Sequence, residues 1–435
     1  MIDLHDPATG EIRGRTTEDG VDAVVRAAAA PSAWSRLPLD ERAGYLHALA
    51  DALYRESPSL AVAEQAGTGK PLGQARAEVA DAVECLRFYA GAVLTQTAPV
   101  SGRWTDGTVS RVERRPIGTV ASILPWNYPM LMWAWQTGAI LAAGCRAITK
   151  PAHQTPDSAG IVQTVADDIL PPGAHATVYG TGRTGAILAM SSRIDGIAFT
   201  GSRDAGLSVA RAAGIRPTLL ELGGNAPVII APDAPWWTAE AIVAATVYNA
   251  GQSCAAPARI LALPGTGRIV ADIARRIEAT DAATFGPVVS QAAQERILAT
   301  VAATDGQKHS GTAPQAGWHV PATVIIDADG PAVAEEVFGP VLTVEHVADD
   351  SAAAARANSV RHALSASIWT DSLTLADRLT RDLRAGEIWH NCHLAQTPGL
   401  PHTGHGPSGH GPHMSPAAID HWTTPTTITT RTQGP

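Results

Sequence analysis

Lysine is nearly absent from this chain. Among 32 basic residues only Lys70, Lys150 and Lys308 are lysines, and no run of basic side chains occurs. Against them stand 41 acidic residues, a formal net charge of -9, so neither a nucleic-acid groove nor an anionic-membrane surface is expected. In so arginine-biased a sequence each retained lysine is worth following. Cysteine is scarce too. Cys85, Cys145, Cys254 and Cys392 lie far apart with no CxxC spacing, which argues against a disulfide framework or a zinc ribbon. Free thiols in a cytoplasmic setting are the expectation. Long apolar runs are also missing. The stretch from Met130 to Cys145 is interrupted by Gln136, Thr137 and two glycines and is shorter than the ~20 residues that span a bilayer. Met1-Ile2-Asp3-Leu4-His5 does not make the basic-then-apolar pattern of a targeting peptide.

What is present is a chain of 435 residues, 45% hydrophobic and 17% charged, long enough for two or three domains around separate cores. Helical spacing of apolar residues predicts helices over Val21–Ala29, Glu41–Tyr54, Ala61–Ala66 and Ala75–Tyr89, with Pro31, Pro38, Pro58 and Pro71 between them. From Val109 short β-branched runs take over and alternate with helices. Strands are predicted at Val109–Val112, Gly118–Leu124, Arg146–Lys150, Ala176–Tyr179, Gly196–Thr200 and Thr218–Leu222. The helices between them fall at Met130–Ala143, Ser158–Ile169, Thr184–Ser191 and Ala205–Ala213. Such alternation argues for a parallel sheet, and a second α/β series runs from Ala226 to about Ile388. Pro398–Pro416 reads as a Gly/Pro/His loop, and Thr423–Thr432 as a strand-prone tail.

Gly180-Thr-Gly182-Arg-Thr-Gly185 is a literal GxGxxG between a predicted strand and helix, the pattern that lets backbone approach a pyrophosphate. The acidic residue such a fingerprint needs about twenty positions on is absent, and an ordinary tight turn explains the glycines equally well. More specific are six motifs in order: Pro125-Trp126-Asn127-Tyr128-Pro129, Lys150-Pro151, Phe199-Thr200-Gly201-Ser202, Glu221-Leu222-Gly223-Gly224-Asn225-Ala226-Pro227, Gly251-Gln252-Ser253-Cys254 and Glu335-Glu336-Val337-Phe338-Gly339-Pro340. Together they resemble the aldehyde dehydrogenase superfamily, over nearly the whole chain.

The resemblance implies an α/β fold with two Rossmann-like domains and a small β bridging element. The dinucleotide-binding domain is expected over 1–96 and 118–223, the catalytic domain over 224–421, and the bridging element over 97–117 and 422–435. Cys254 takes the nucleophile's position, and a thiol suits it, because it is easily activated and intrinsically nucleophilic. Asn127 and the Cys254 backbone N–H take the oxyanion positions, where losing one donor typically costs roughly 2.7–4 kcal/mol of transition-state stabilisation. Glu221 takes the general base's position for hydrolysing the thioester. On the cofactor side the resemblance implies Ser202 at the pyrophosphate, Lys150 at the adenine-side ribose and Glu336 at the nicotinamide-side ribose. Trp126 and Phe338 would help wall the nicotinamide, Gly182 would lie near the adenine, and Gly201 and Leu222 would be among the cofactor-binding residues. The implied cofactor is NAD. His153 stands where many NAD-using members carry Glu, which leaves NADP open as well.

Two further departures matter. The segment from Cys254 to Glu336 is short, with Arg275–Phe285 and Asp305–His319 trimmed. Leu400–Ser415 fits the pattern PHxGxxxSGxGxxMS, closest to the branch similar to 4-aminobutyraldehyde dehydrogenases, so an amino-aldehyde substrate is the expectation. Trp133 and Trp135 are candidates for the wall of a substrate tunnel. His402, His405, His410 and His413 suggest no metal, since no Cys or Asp joins them in sequence. Edge strands in the bridging element imply a homodimer or homotetramer. The rivals to a dehydrogenase are a non-catalytic scaffold, motivated by the trimmed loops, and a cofactor-independent thiol esterase using Cys254 and Glu221.

Overall fold

The computed structural model describes residues 1–95 and 101–432, so residues 97–100 and 433–435 of the expected bridging element lie outside it. The chain opens with an antiparallel hairpin, β1 (Ile2–His5) and β2 (Ile12–Thr16). Four helices follow: α1 (Val21–Ala29), α2 (Leu39–Arg55), α3 (Ser57–Thr68) and α4 (Leu72–Ala92). Pro58 lies within the first turn of α3 and Pro71 immediately before α4, positions where the missing N–H breaks no helical bond. Next come β3 (Ser101–Gly102) and β4 (Thr108–Pro116), paired with each other.

The first α/β unit contains β5 (Thr119–Ile123), α5 (Pro129–Ala142), β6 (Arg146–Lys150), α6 (Asp157–Ile169), β7 (His175–Thr177), α7 (Gly182–Met190), β8 (Gly196–Thr200), α8 (Arg203–Ala213) and β9 (Thr218–Glu221). Its strands run parallel in the order β9-β8-β5-β6-β7. Every residue of β5 and β8 is buried, which is why they read as continuous apolar runs and not as alternating ones. Helix α5 is buried on nearly all sides, between the sheet and α4. The chain moves outward from β5 through β6 to β7, then returns to lay β8 on the other side of β5. That reversal opens a crevice at the carboxyl ends of β5 and β8, where ligands of open α/β sheets bind.

The second sheet contains β10 (Ala226–Ile230), β11 (Pro257–Ala262), β12 (Asp305–Ser310), β13 (Thr323–Asp329), β14 (Val341–His346), β15 (Ser365–Trp369) and β16 (Glu387–His390), with helix α9 (Thr238–Val247) between β10 and β11. Their order is β12-β13-β14-β11-β10-β15-β16, all parallel except the edge strand β12. Separate apolar clusters cover its two faces. The chain then returns to the first unit. Strand β17 (Gly409–His410) pairs antiparallel with β9, and Met414, Ala418, Ile419 and Trp422 enter the core around α5. Residues 409–421, counted with the catalytic domain by sequence, thus pack on the first sheet. Strand β18 (Thr423–Arg431) pairs with β4 over nine residues, completing a three-stranded sheet β18-β4-β3. Among the described residues no helix is long and apolar enough to cross a membrane.

Candidate active site

The motif residues gather at strand ends. Trp126 and Asn127 follow β5, Lys150 ends β6, Gly201 and Ser202 follow β8, Glu221 ends β9 and Leu222 comes just after it. Facing them from the second unit are Cys254, on the loop into β11, and Glu336 and Phe338, on the loop into β14. Those two loops touch. A side-chain carbon on Gly251 (φ +70°) would lie 2.3 Å from the Gly339 backbone, so only glycine lets them approach this closely.

Asn127 is held from three directions. Its amide Nδ2 donates to the Gln252 carbonyl at 3.1 Å, which leaves the second amide hydrogen uncommitted. Its own carbonyl accepts from Lys70 Nζ and from Asn249 Nδ2, each at 2.9 Å. Lys70 is fully buried in an ion pair with Glu78, whose other oxygen accepts the Met130 and Leu131 N–H groups at the start of α5. Lys70 received no role from the sequence. Its rarity was the only signal, and Lys150 absorbed it.

Glu221 is 1% exposed. Thr200 Oγ1 donates to its Oε2 at 3.2 Å, and Thr200 accepts in turn from Gln136 Nε2, whose Oε1 accepts from Ser122. The other oxygen, Oε1, has no hydrogen-bond partner and lies 3.5 Å from His402 Nε2. The same Nε2 is 4.0 Å from Cys254 Sγ. On its far side His402 Nδ1 is 2.7 Å from Glu387 Oε2, which also accepts from Gln396 Nε2 at 2.9 Å. Burial alone would neutralise His402, but the neighbouring Cys254, Glu221 and Glu387 side chains outweigh burial and raise its pKa well above the ordinary imidazole value. Burial would likewise raise Glu221, yet His402 holds that carboxyl well below the usual range. Burial and the Glu221 charge push the Cys254 thiol upward, and His402 opposes them. Among the described residues the Cys254 backbone N–H donates to no carbonyl.

Cofactor fit can be judged at two helix starts. The start of α7, inside the GxGxxG segment, is already served by a carboxylate of the chain. Glu18 accepts from the Thr181 N–H at 3.2 Å and from the hydroxyls of Thr181 and Thr184 at 2.9 and 3.1 Å. The start of α8 is different. Ser202 is its exposed N-cap and makes no side-chain capping bond, so hydroxyl and helix N–H groups stand ready for an anion. Lys150 Nζ donates to the Pro151 and Gly180 carbonyls, both at 2.8 Å, and burial lowers its pKa to about 8. Half-buried His153 is kept neutral by burial and by Lys150. Glu336 accepts the Gly224 N–H at 2.9 Å and is pushed up to about 8, chiefly by burial. Trp126 and Phe338 stack edge to face, centroids 5.4 Å apart. Leu222 is buried, with its side chain directly over Gly206 on α8.

On the opposite side Cys254 opens into a cavity of about 610 Å³. Tyr128, Trp135 and Tyr248 supply aromatic wall, and Glu78, Asp81 and Glu84 of α4 supply carboxylates. Trp135 therefore lies where the sequence suggested. Trp133 does not: it points to the other side of α5 and donates to His175 at 3.3 Å. The four histidines also divide. His405 and His410 face solvent, whereas His402 and His413 are buried and bonded to each other through their backbones. The premise that no Cys or Asp joins them fails in space for cysteine, since Cys254, with the carboxylate of Glu221, comes to His402 from the rest of the chain.

Comparison with known proteins gives a consistent result. Residues 1–428 match the aldehyde dehydrogenase family. A phenylacetaldehyde dehydrogenase of Pseudomonas fluorescens is 34% identical over 461 residues, covering 97% of this chain and 91% of that protein. Among solved structures, a putative aldehyde dehydrogenase from Burkholderia cenocepacia superimposes with TM-score 0.94 at 31% identity, covering 99% of this chain and 96% of the other. The NAD+ complex of an aldehyde dehydrogenase from Bacillus cereus gives TM-score 0.94 at 28% identity, covering 99% and 93%.

Proposed function

The chain belongs to the aldehyde dehydrogenase family, an NAD(P)-dependent enzyme that oxidises an aldehyde to the carboxylic acid, and from that premise we propose how its residues divide the work. Cys254 Sγ attacks the aldehyde carbon from the cavity side, after its proton has passed to Glu221. The oxyanion of the thiohemiacetal is held by the free Asn127 amide hydrogen and the Cys254 backbone N–H. Bound NAD(P) supplies the acceptor for the hydride that leaves the aldehyde carbon. Glu221 first releases the thiol proton to solvent; then, its Oε2 steadied by Thr200 and its Oε1 uncommitted, the carboxylate takes a proton from the water that hydrolyses the thioester. Ser202, Gly201 and the start of α8 would hold the pyrophosphate. Lys150 and Glu336 would hold the two riboses, with His153 and Gly182 on the adenine side and Trp126, Phe338 and Leu222 toward the nicotinamide. The single observation that carries this reading is the meeting of Cys254, Glu221 and Asn127 at one crevice, although they arrive from three distant parts of the chain.

The cavity points further, to an amino-aldehyde. Asp81 and Glu84 sit three residues apart on α4 at its mouth, and neither is ion-paired within the described residues. Burial, Glu84 and Glu78 together raise the Asp81 carboxyl. A substrate with an ammonium group at one end would relieve that repulsion while its aldehyde reaches Cys254. We also propose that the enzyme is a homodimer or homotetramer working in the cytoplasm, since its four cysteines are unpaired. An aldehyde panel run with NAD and NADP tests the reading. Reduced cofactor should appear with wild type and vanish in Cys254→Ala, whereas undiminished turnover in that variant removes the assignment.

A further inference from the structure

Cys254, His402 and Glu221 meet with a geometry that the oxidation of an aldehyde does not require. Their donor atoms lie within 4.8 Å of one another, with Sγ to Nε2 at 4.0 Å and Nε2 to Oε1 at 3.5 Å. Zinc bonds of about 2.0–2.3 Å in a tetrahedron set neighbouring ligand atoms roughly 3.3–3.8 Å apart, so a small closing movement would suffice. The donor types agree as well: thiolate sulfur, imidazole nitrogen and carboxylate oxygen are the three that zinc accepts.

We propose that these three side chains form a binding site for Zn²⁺ that reversibly caps the nucleophile. Two independent observations support it beyond the cluster itself. Glu221 Oε1 is a buried carboxylate oxygen with no hydrogen-bond partner, and it faces the other two donors. Behind His402 stands the support a metal-bound histidine usually has. Its second ring nitrogen is 2.7 Å from the Glu387 carboxylate, itself held by Gln396, which fixes the ring and directs Nε2 at the cluster. The fourth position would face the substrate cavity and take a water. As the Zn–S and Zn–N bonds form, the thiol proton and the Nε2 proton leave to water. Thiolate and carboxylate together then balance the charge of the ion. Capping removes the sulfur lone pair from aldehydes and from oxidants alike, so the site is an inhibitory lock and a protection for the thiol.

The test uses the full-length protein, stripped of metal by a chelator, in a Cys392→Ser background, because Cys392 is the other cysteine that is not buried. Neither aldehyde nor dinucleotide is present, so the outcome is separate from the dehydrogenase reading. Co²⁺ should bind one per chain with a thiolate-to-cobalt charge-transfer band, and Zn²⁺ should displace it. Zinc should also slow alkylation of Cys254 by iodoacetamide, with EDTA restoring the rate. Cys254→Ser should lose the band, and His402→Gln and Glu387→Gln should each weaken zinc binding about 10- to 100-fold. Two results overturn the proposal: no band and no protection in the Cys392→Ser protein at roughly a thousandfold molar excess of metal, or zinc bound equally well after Cys254→Ser or His402→Gln. The band and the protection are read on protein with all three ligands intact, so they decide the matter even where a ligand variant fails to fold.

Discussion

The buried ammonium of Lys70 donates to the backbone carbonyl of Asn127 at 2.9 Å, reaching from the α3–α4 connection to the loop that presents the oxyanion amide. Glu78 neutralises Lys70 and also accepts two N–H groups at the start of α5. The pair therefore positions the amide from behind its backbone, although Glu78 also lines the cavity. Removing one partner of a buried pair leaves an uncompensated charge, so Lys70→Met should lower unfolding free energy by about 3–5 kcal/mol in a urea titration. Replacing both, as Lys70→Met/Glu78→Leu, should recover much of that loss. Turnover should stay low in both variants, because both lose the Lys70 bond to Asn127 and keep only those of Asn249 and Gln252. A double variant with wild-type kcat would show that the pair serves stability alone.

The mouth of the cavity makes a prediction about selectivity. If Asp81 and Glu84 receive an ammonium, Asp81→Asn and Glu84→Gln should each raise KM for a 4-carbon amino-aldehyde by about 3- to 10-fold, the range of a partly exposed ion pair to a charged hydrogen bond. KM for an uncharged aldehyde of the same length should not change, nor should kcat for either. Equal effects on both aldehydes would assign the two carboxylates to the general shape of the cavity.

Lys150 ties cofactor affinity to pH. A protonated amine has three hydrogens, and the Pro151 and Gly180 carbonyls take two of them, leaving one for a ribose hydroxyl. Burial has brought its pKa down to about 8. Above that pH the neutral amine keeps two hydrogens, both already committed, so NAD affinity measured by tryptophan quenching should weaken several-fold between pH 7 and pH 9.5. Stability should move in the other direction. A lysine with a lowered folded pKa binds fewer protons folded than unfolded between about 8 and the ordinary 10.5, so unfolding free energy rises with pH across that window. In Lys150→Met both trends should flatten.

How far these features were legible depends on where burial is two-sided. Arg146–Lys150 and Gly196–Thr200 were read to the residue because strands covered on both faces keep an apolar centre, Ala147-Ile148 and Ile197-Ala198-Phe199, between recognisable helices. The β1–β2 hairpin and the edge strand β12, Asp-Gly-Gln-Lys-His-Ser, escaped because Leu4 is their only buried residue and they carry little β-branched pattern. At the site, Cys254, Glu221 and Asn127 were found by family resemblance. His402, Glu387 and Lys70 were not assigned roles there, because each acts through a contact between segments far apart in the chain. Spacing also misled in one case: Trp133 and Trp135 share a helix, but two residues on a helix turn side chains toward different sides.

The sheet β18-β4-β3 provides the last prediction. Beyond Thr423 no residue of β18 is buried, and β4 has no fully buried residue either, so among the described residues nothing gives this sheet a core. A sheet of three strands needs an apolar face covered to be stable, and a second copy is the covering we expect. Trp422, by contrast, is fully buried, and its carbonyl accepts from the Ile117 N–H at 3.1 Å and from Cys145 Sγ at 3.2 Å. Deleting residues 423–435 therefore spares the core while removing β18. Sedimentation of the truncated chain should give the mass of a monomer where the full chain gives a dimer or tetramer, with little change in its helical circular dichroism. An oligomer that survives the deletion unchanged would place the subunit contact elsewhere, on a surface that β18 does not form.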